Sequence, residues 1–210
     1  SYTTPAYATA GNRYFRVNIS QAESGCRTLS NQVTLKVFDL PAAPVGLVTE
    51  QPSCTTATGT VNITNPDLGT GYEYSSDGTT FQASNVFTGL PSGSVTIYVR
   101  RVGLNTCISS GTTFTIFNRI CAVSENFTAI SGDTGGSTAP HSILDSDTIN
   151  GVILNPSSVN VTINSISSYL TYDFNPLSRT ISVAPGTPAG DYTLTYTICE
   201  IVNPGNPSDP

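Results

Sequence analysis

Ala10-Gly11-Asn12-Arg13-Tyr14-Phe15-Arg16-Val17-Asn18-Ile19 is the first of three similar stretches that decide the fold of this chain. The second is Ser92-Gly-Ser-Val-Thr-Ile-Tyr-Val-Arg-Arg101, and the third is Ala189-Gly-Asp-Tyr-Thr-Leu-Thr-Tyr-Thr-Ile198. In each, a small residue and a Gly precede an alternation of apolar and polar residues, which predicts a half-buried β-strand. The positions four and six residues after the Gly carry Phe15 and Val17, Ile97 and Val99, and Leu194 and Tyr196. Because this spacing is the same each time, we expect the same face of all three strands to point inward.

The distances between these stretches predict the domain organisation. Their glycines are 82 and 97 residues apart, which is too long for a solenoid repeat and suits sandwich domains of about 100 residues. We therefore predict an all-β chain of tandem immunoglobulin-like β-sandwich domains in an elongated array. Residues 1–40 are the C-terminal part of one sandwich and 41–119 are a complete small sandwich. Residues 120–210 are a third sandwich, either complete or without its last strand.

The composition of the chain narrows the classes of function. Charged residues make up 10% of the sequence, the net charge is −6 and the pI is about 4.5. An acidic chain has few of the Lys and Arg residues that neutralise phosphates, so we expect no nucleic-acid partner. No apolar run approaches the roughly 20 residues that cross a bilayer, so we also expect no membrane insertion.

Two short segments between the predicted strands have a clear conformational preference. Leu40-Pro-Ala-Ala-Pro44 holds two prolines, which favour an extended and stiff linker between the first and second sandwich. Asp77-Gly78 lies between Tyr74 and Phe81 and predicts a hairpin turn, because Gly accepts the positive φ that tight turns require.

Five cysteines stand at positions 26, 54, 107, 121 and 199, with no CxxC pair among them. This spacing disfavours a zinc site or a redox motif and favours long-range disulfides in an oxidising compartment. Cys54 precedes the first clear strand of the second sandwich and Cys107 follows the Gly93 strand. We therefore predict a Cys54–Cys107 disulfide, which closes a loop worth about 4 kcal/mol. The natural partner of Cys26 is expected outside this stretch of chain.

Several phrases of the sequence resemble those of a known family. The most specific runs from Val183 to Glu200 (Val-Ala-Pro-Gly-Thr-Pro-Ala-Gly-Asp-Tyr-Thr-Leu-Thr-Tyr-Thr-Ile-Cys-Glu) and is followed by Asn203-Pro204. Together with Ser146–Val152 and Leu154–Val161, it resembles repeats of giant Bacteroidota cell-surface adhesins that the type IX system secretes, the SprB-like gliding-motility adhesins. Further phrases match a second repeat of the same proteins: Gln51–Gly59, Tyr74–Gly78 and Phe87–Leu90. The first forty residues resemble the end of an immunoglobulin-like repeat that often precedes it.

The resemblance implies a function, a location and partners. It implies a structural or adhesive repeat segment on the bacterial cell surface, outside the cell, that serves gliding motility or attachment. Its partners are neighbouring repeats of the same chain, the secretion or motility machinery, surface polysaccharide, or other adhesin copies. The family often has a Cys where this chain has Asn206-Pro207. This departure leaves Cys199 without its usual partner and makes Cys121–Cys199 a second candidate disulfide.

Candidate sites are few and each has a plain structural alternative. Asp145, Asp147 and Asn150, beside Gly151, are rich in the oxygens that calcium prefers, but they lack EF-hand spacing. Ordinary turns also place Asx residues beside Gly. Thr148, in Asp147-Thr148-Ile149, matches the short O-glycosylation signal of the family. No other cofactor is expected.

We predict that the chain is not an enzyme. His141 is the only histidine and no GxSxG motif accompanies it, so we expect an exposed side chain rather than a catalytic relay. Tyrosines can stack on sugars or pack across strands, and two groups have that option: Tyr72, Tyr74 and Tyr98, and Tyr169 with Tyr172. Tyr192 or Tyr196 is expected to form a tyrosine corner.

Three functions remain open from the sequence. The first is a stiff stalk of tandem sandwiches within a surface adhesin or filament. The second is a carbohydrate- or matrix-binding module of a secreted protein. The third is a self-assembling filament subunit that completes an unfinished sandwich by strand complementation.

Overall fold

The structure, a computed structural model, describes residue 3 and residues 5–21, 23–127 and 130–201. Within these ranges every regular element is a β-strand, apart from one turn of 3₁₀ helix at Pro156–Ser158. The predicted all-β class is therefore confirmed. No helix of this part of the chain has the length and apolar character to cross a membrane. The strands are β1 Gly11–Phe15, β2 Asn18–Ser20, β3 Arg27–Leu29, β4 Val33–Val37, β5 Val45–Glu50, β6 Gly59–Asn65, β7 Tyr72–Ser75, β8 Val86–Leu90, β9 Gly93–Arg101, β10 Thr112–Ile116, β11 Ile120–Cys121, β12 Gly136–Ser137, β13 Thr148–Ile149, β14 Val152–Ile153, β15 Val159–Ile166, β16 Leu170–Tyr172, β17 Ile181–Val183 and β18 Leu194–Glu200.

Two antiparallel sheets enclose the first hydrophobic core, which we call the middle core. Their strand orders are β5-β6-β8 and β10-β9-β7, and both contribute side chains to the core, as in a β-sandwich. Ile97 and Val99 of β9 are fully buried, so the predicted inward face of the second stretch is confirmed. The buried residues of this core are Val61, Ile63, Tyr74, Phe87, Ile97, Val99 and Ile116.

The predicted turn at Asp77-Gly78 is also present. Tyr74 and Gln82 exchange two backbone hydrogen bonds of 2.8 Å, which close the turn. Asp77 Oδ1 accepts hydrogen bonds from the amides of Thr79 and Thr80, both 2.7 Å long. These bonds hold the pKa of the Asp77 carboxyl well below its usual value, because they stabilise the carboxylate. Gly78 has a φ of +74°, which explains the glycine at this position.

Three small sheets surround the second core, which we call the C-terminal core. Their orders are β11-β13-β14, β12-β17-β16 and β15-β18. Leu194 and Tyr196 of β18 pack against this core, so the inward face predicted for the third stretch is confirmed. The buried residues of the C-terminal core are Ile120, Ile143, Leu144, Leu154, Val159, Tyr172, Ile181 and Ile198.

The first stretch behaves differently from the other two. It forms β1 and β2, which pair with β4 and β3 in a long two-stranded arrangement that we call the N-terminal ribbon, residues 11–37. Val17 is 60% exposed, so the prediction that it points into a core is wrong. The reason is that no second sheet of the described chain covers this face, and neither hydrophobic core includes a ribbon residue.

The two cores fall inside two of the predicted domains. Their buried residues span positions 61–116 and 120–198, within the predicted ranges 41–119 and 120–210. The domain boundaries themselves stay predictions.

Candidate functional site

A disulfide joins the middle core to the C-terminal core. Cys54 lies in the loop between β5 and β6, and Cys121 is the last residue of β11. Their Cα atoms are 5.4 Å apart and 67 positions separate them in sequence, a Cα distance typical of disulfides. The bond closes a loop that contains β6 to β10 and therefore most of the middle core.

The predicted Cys54–Cys107 disulfide is wrong, and the direction of β9 explains why. Gln51, near Cys54, contacts Thr115 and Phe117, next to the end of β10 that pairs with the start of β9. Cys107 follows the opposite end of β9, roughly 27 Å away for a strand of this length. That separation is far beyond what a disulfide can bridge.

The alternative Cys121–Cys199 disulfide is also wrong, because Cys121 is already bonded to Cys54. Cys199 lies on β18 and is a free thiol that is partly buried. Cys107 is likewise free and partly buried, whereas the free thiol of Cys26 is exposed on the N-terminal ribbon.

Side-chain amides reinforce the connection between the two cores. The Gln51 side chain donates to the Thr115 carbonyl at 3.2 Å and accepts from the Phe117 amide at 2.9 Å. It therefore fixes the chain where it leaves β10 for the C-terminal core. The neutral amide suits this place because it offers one donor and one acceptor to two backbone groups.

Asn118 and Asn150 continue this network into the C-terminal core. Asn118 donates to Glu200 Oε1 at 2.8 Å and accepts from Asn150 Nδ2 at 2.9 Å. Asn150 Oδ1 also accepts from the Arg119 amide at 2.9 Å, while the Asn150 amide donates to the Arg119 carbonyl at 2.7 Å. With the disulfide, these bonds form what we call the junction clamp: Gln51, Cys54, Phe117, Asn118, Arg119, Cys121, Asn150 and Glu200.

The proline linker before the middle core is also packed. Pro41 and Pro44 are buried, and the Pro44 carbonyl accepts a 2.6 Å hydrogen bond from Thr112 Oγ1 of β10. The guanidinium of Arg101 lies 5.7 Å from the ring centre of Phe38 and 4.8 Å from that of Tyr72. These cation–π distances tie the end of the first segment to the middle core.

A cluster of oxygen atoms lies inside the C-terminal core. Tyr196 Oη is 2.7 Å from the Ile143 carbonyl, 3.0 Å from Asp147 Oδ2 and 3.4 Å from Glu125 Oε2. A phenol carries a single hydrogen and can donate to only one of these acceptors. Asp147 is fully buried and its Oδ1 accepts from the Val123 amide at 2.7 Å.

Burial shifts the ionisation of this cluster. It raises the pKa of the Asp147 carboxyl and that of the Glu125 carboxyl, because a charge is poorly solvated there. The pKa of the Tyr196 phenol is raised well above its usual value, first by burial and then by the two neighbouring carboxylates. A proton retained by Asp147 would turn its contact with Tyr196 into a second hydrogen bond.

A cleft of about 1320 Å³ opens beside this cluster. Its lining includes the apolar side chains of Leu170, Ile181 and Val183, together with Glu125 and residues 187–196, which lead into β18. Strand β18 forms a two-stranded sheet with β15. A second cleft of about 640 Å³ adjoins the first, sharing Glu125 and other lining residues with it.

The predicted calcium ligands do not converge. Asp145 contacts His141, Asp147 contacts Tyr196 and Val123, and Asn150 belongs to the junction clamp. Nowhere in the described ranges do three His, Cys, Asp or Glu side chains come together in a way that would hold a metal ion. The three side chains thus have separate partners, and calcium binding by them stays a prediction.

The remaining predicted site residues have ordinary surroundings. His141 is exposed, with its Nδ1 3.2 Å from Asp145 Oδ2. Thr148 lies in the central strand β13 and is half-buried; its glycosylation stays a prediction.

Two of the tyrosines that could either stack on sugars or pack across strands are packed. Tyr74 and Tyr172 are buried in the two cores, so neither offers a face to a ligand. Tyr169, 50% exposed, instead packs edge-on against Tyr192 with ring centres 6.0 Å apart. Tyr192 Oη donates to the Pro188 carbonyl at 2.8 Å, which is the backbone bond expected of a tyrosine corner.

Sequence reasoning missed the junction clamp and the oxygen cluster. Gln51 and Asn118 carry no signal, because isolated amides in a polar chain are unremarkable. The sequence does contain a signal for the oxygen cluster at Tyr196. A phenol at an inward position of an alternating strand requires a buried hydrogen-bond acceptor.

Comparison with known proteins adds little. No family model and no curated protein matches this chain. Among solved structures, it is similar to an endo-fucoidan hydrolase of glycoside hydrolase family 107, with 17% identity and a TM-score of 0.23, and to a variant of that enzyme, with 16% identity and a TM-score of 0.24. The matches cover 95% and 98% of this chain but only 33% and 34% of the hydrolase chains, so it spans about a third of their length. TM-scores of this size carry no argument about fold or activity.

Proposed function

We propose that this chain is a non-catalytic stalk segment of a large bacterial cell-surface adhesin or filament. The observation that carries the proposal is the Cys54–Cys121 disulfide, which connects two hydrophobic cores covalently. A disulfide within one core stabilises that core alone, whereas this one restrains the movement of each core against the other. The hydrogen bonds of Gln51 and Asn118 also restrain the two cores against each other. A segment built in this way transmits force and resists bending.

The same proposal includes tandem immunoglobulin-like domains and a location outside the cell. A disulfide persists in an oxidising compartment, and the low charge of the chain suits a surface rich in Ser and Thr. The resemblance to giant adhesins of the type IX pathway adds neighbouring repeats and the motility or secretion machinery as partners.

Small-angle X-ray scattering of the intact chain tests the stalk. We expect the profile of a stiff particle, and a more flexible one for the double variant Cys54→Ser and Cys121→Ser. Cys107→Ser is the matched control, since it removes a thiol and keeps the disulfide. Equal flexibility of the wild type and the double variant would rule out a stiffening role for the clamp.

One observation favours a second function, a carbohydrate-binding module. Tyr169 and Tyr192 form an aromatic pair beside the 1320 Å³ cleft, which Tyr192 lines, and aromatic faces commonly stack on sugars. A glycan array probed with the intact chain tests this. Binding that Tyr169→Ala abolishes and the control Tyr14→Ala retains would support the module, since Tyr14 is also exposed (61%, against 50% for Tyr169). Absence of binding to any glycan would reject it.

A further inference from the structure

A short segment beside the C-terminal core, residues 124–127, borders two clefts. All four of its residues line both the 1320 Å³ cleft and the adjoining 640 Å³ cleft. The segment, which we call the strap, follows β11 and belongs to no strand. Within the described chain its backbone forms no hydrogen bond with other backbone groups. Because such a segment has little local stability of its own, its few side-chain contacts decide where it lies.

Two side chains hold the strap in place. Glu125 Oε1 accepts a hydrogen bond from the Ser146 amide at 3.0 Å, and Glu125 Oε2 is 3.4 Å from Tyr196 Oη. Phe127 packs against the C-terminal core. Glu125 therefore supplies the polar contacts of the strap, and Phe127 supplies its apolar contact.

The contact between Tyr196 and Asp147 is explained by a proton on Asp147. Tyr196 Oη is 2.7 Å from the Ile143 carbonyl oxygen and 3.0 Å from Asp147 Oδ2. Each contact of this length needs a hydrogen between its two oxygens, and the phenol has one whereas a carbonyl has none. The second hydrogen therefore lies on the Asp147 carboxyl, whose pKa is raised by burial.

No positive charge compensates a carboxylate in this cluster. The ion pairs of the described chain involve neither Glu125 nor Asp147. The other charged or titratable groups nearby have their own partners or lie along the cleft: Asp145 and His141, which contact each other; Arg179, which donates to Tyr172 Oη and the Val159 carbonyl; and Asp133 and Asp191. A proton that leaves Asp147 therefore leaves behind an uncompensated charge beside Glu125.

We propose that the strap is a pH-sensitive switch, which is docked while Asp147 holds its proton and is released when Asp147 ionises. The two carboxylates then compete for the single hydrogen of Tyr196, which turns to the nearer one, Asp147. Glu125 is only partly buried, so it turns out into the cleft and gives up the Ser146 amide. The Val123 amide stays bonded to Asp147 Oδ1, and the strap pivots there.

The direction of the switch follows from proton binding. Burial raises the pKa of the Glu125 carboxyl and that of the Asp147 carboxyl in the docked state, so this state binds protons more tightly than the released state. Docking is therefore favoured at low pH and is lost as the pH rises through the docked-state pKa values. Release changes the wall of both clefts. It is independent of stalk stiffness and of what the clefts bind.

Tryptophan fluorescence of the intact chain tests the switch, because the chain has no tryptophan of its own. Phe127→Trp places one reporter on the strap. Phe114→Trp is the matched control, since Phe114 is likewise partly buried, but against the middle core. Between about pH 4 and about pH 8, we expect acrylamide quenching of the reporter at position 127 to rise several-fold. Quenching at position 114 should stay constant. A flat profile at position 127 would overturn the proposal.

Two variants in the Phe127→Trp background identify the proton. Asp147→Asn keeps the shape of the side chain, and its amide can donate to Tyr196 while its oxygen still accepts from Val123. Quenching should therefore stay low at every pH. Asp145→Asn removes an exposed carboxyl of the same turn and should leave the rise unchanged. An undiminished rise in the Asp147→Asn variant would assign the release to another group and reject the switch.

Nuclear magnetic resonance of the unsubstituted chain gives a second readout that does not depend on the packing of a tryptophan. The amide proton of Ser146 bonds to Glu125 in the docked state, so its signal should move to lower chemical shift as the pH rises. The amide proton of Val123 should move to higher shift, because its acceptor Asp147 gains a charge. A Ser146 signal that keeps its position over the whole range would contradict the release of Glu125.

Discussion

Reduction of the Cys54–Cys121 disulfide is expected to change how this chain extends under force. The bond closes a loop with a sequence separation of 67, which includes β6 to β10. While the bond is intact, tension passes from Cys54 directly to Cys121 and the loop between them cannot lengthen. At about 3.3 to 3.6 Å per extended residue, the hidden length is about 220 to 240 Å.

Single-molecule force spectroscopy measures this length. The intact chain is pulled from both ends, first oxidised and then with a reductant, and the contour length gained at each unfolding event is recorded. We expect an event of about 220 to 240 Å only after reduction, and also in the double variant Cys54→Ser and Cys121→Ser. Cys107→Ser should behave like the oxidised wild type. Observation of this event in oxidised chains whose mass confirms the disulfide would refute the reasoning.

Three further predictions concern stability, each measured as the free energy of unfolding in urea. Asp147→Asn should flatten the dependence of the unfolding free energy on pH. The raised pKa of Asp147 means that the folded chain binds the carboxyl proton more tightly than the unfolded chain does. The stability that this proton contributes is therefore present at low pH and is lost as the pH rises through the folded-state pKa. An unchanged slope in the variant would assign the effect to another group. Ile97→Ala should cost about 2 to 5 kcal/mol, because Ile97 is fully buried in the middle core, whereas the exposed control Leu68→Ala should change stability by less than about 0.5 kcal/mol. Asn118→Ala should cost about 1 to 3 kcal/mol, because it removes bonds to Asn150 and to the Glu200 carboxylate; wild-type stability would show that the clamp is energetically neutral.

The sequence predicted the strands that bury one face and failed where burial depends on a distant partner. Ile97 and Val99 alternate with polar residues and are buried as expected, because the middle core supplies a facing sheet. Val17 has the same pattern and is exposed. Alternation shows which side chains share a face, but it contains no information on whether a second sheet covers that face.

The sites were harder to predict because their residues are remote in sequence. Asp147 attracted a calcium interpretation through its neighbours Asp145 and Asn150. Its actual partners, Val123 and Tyr196, are 24 and 49 positions away. The prediction of the disulfide was wrong for a related reason. The spacing of cysteines in the sequence does not show near which end of β9 each cysteine lies.

The position of the disulfide also limits how a gene for such a protein can be rearranged. Cys54 belongs to one core and Cys121 to the strand that begins the next. Duplicating or deleting the coding segment of a single core would leave one cysteine without its mate. A segment that holds both cores contains both cysteines and can be copied without this defect, so the unit of inheritance is larger than the unit of folding.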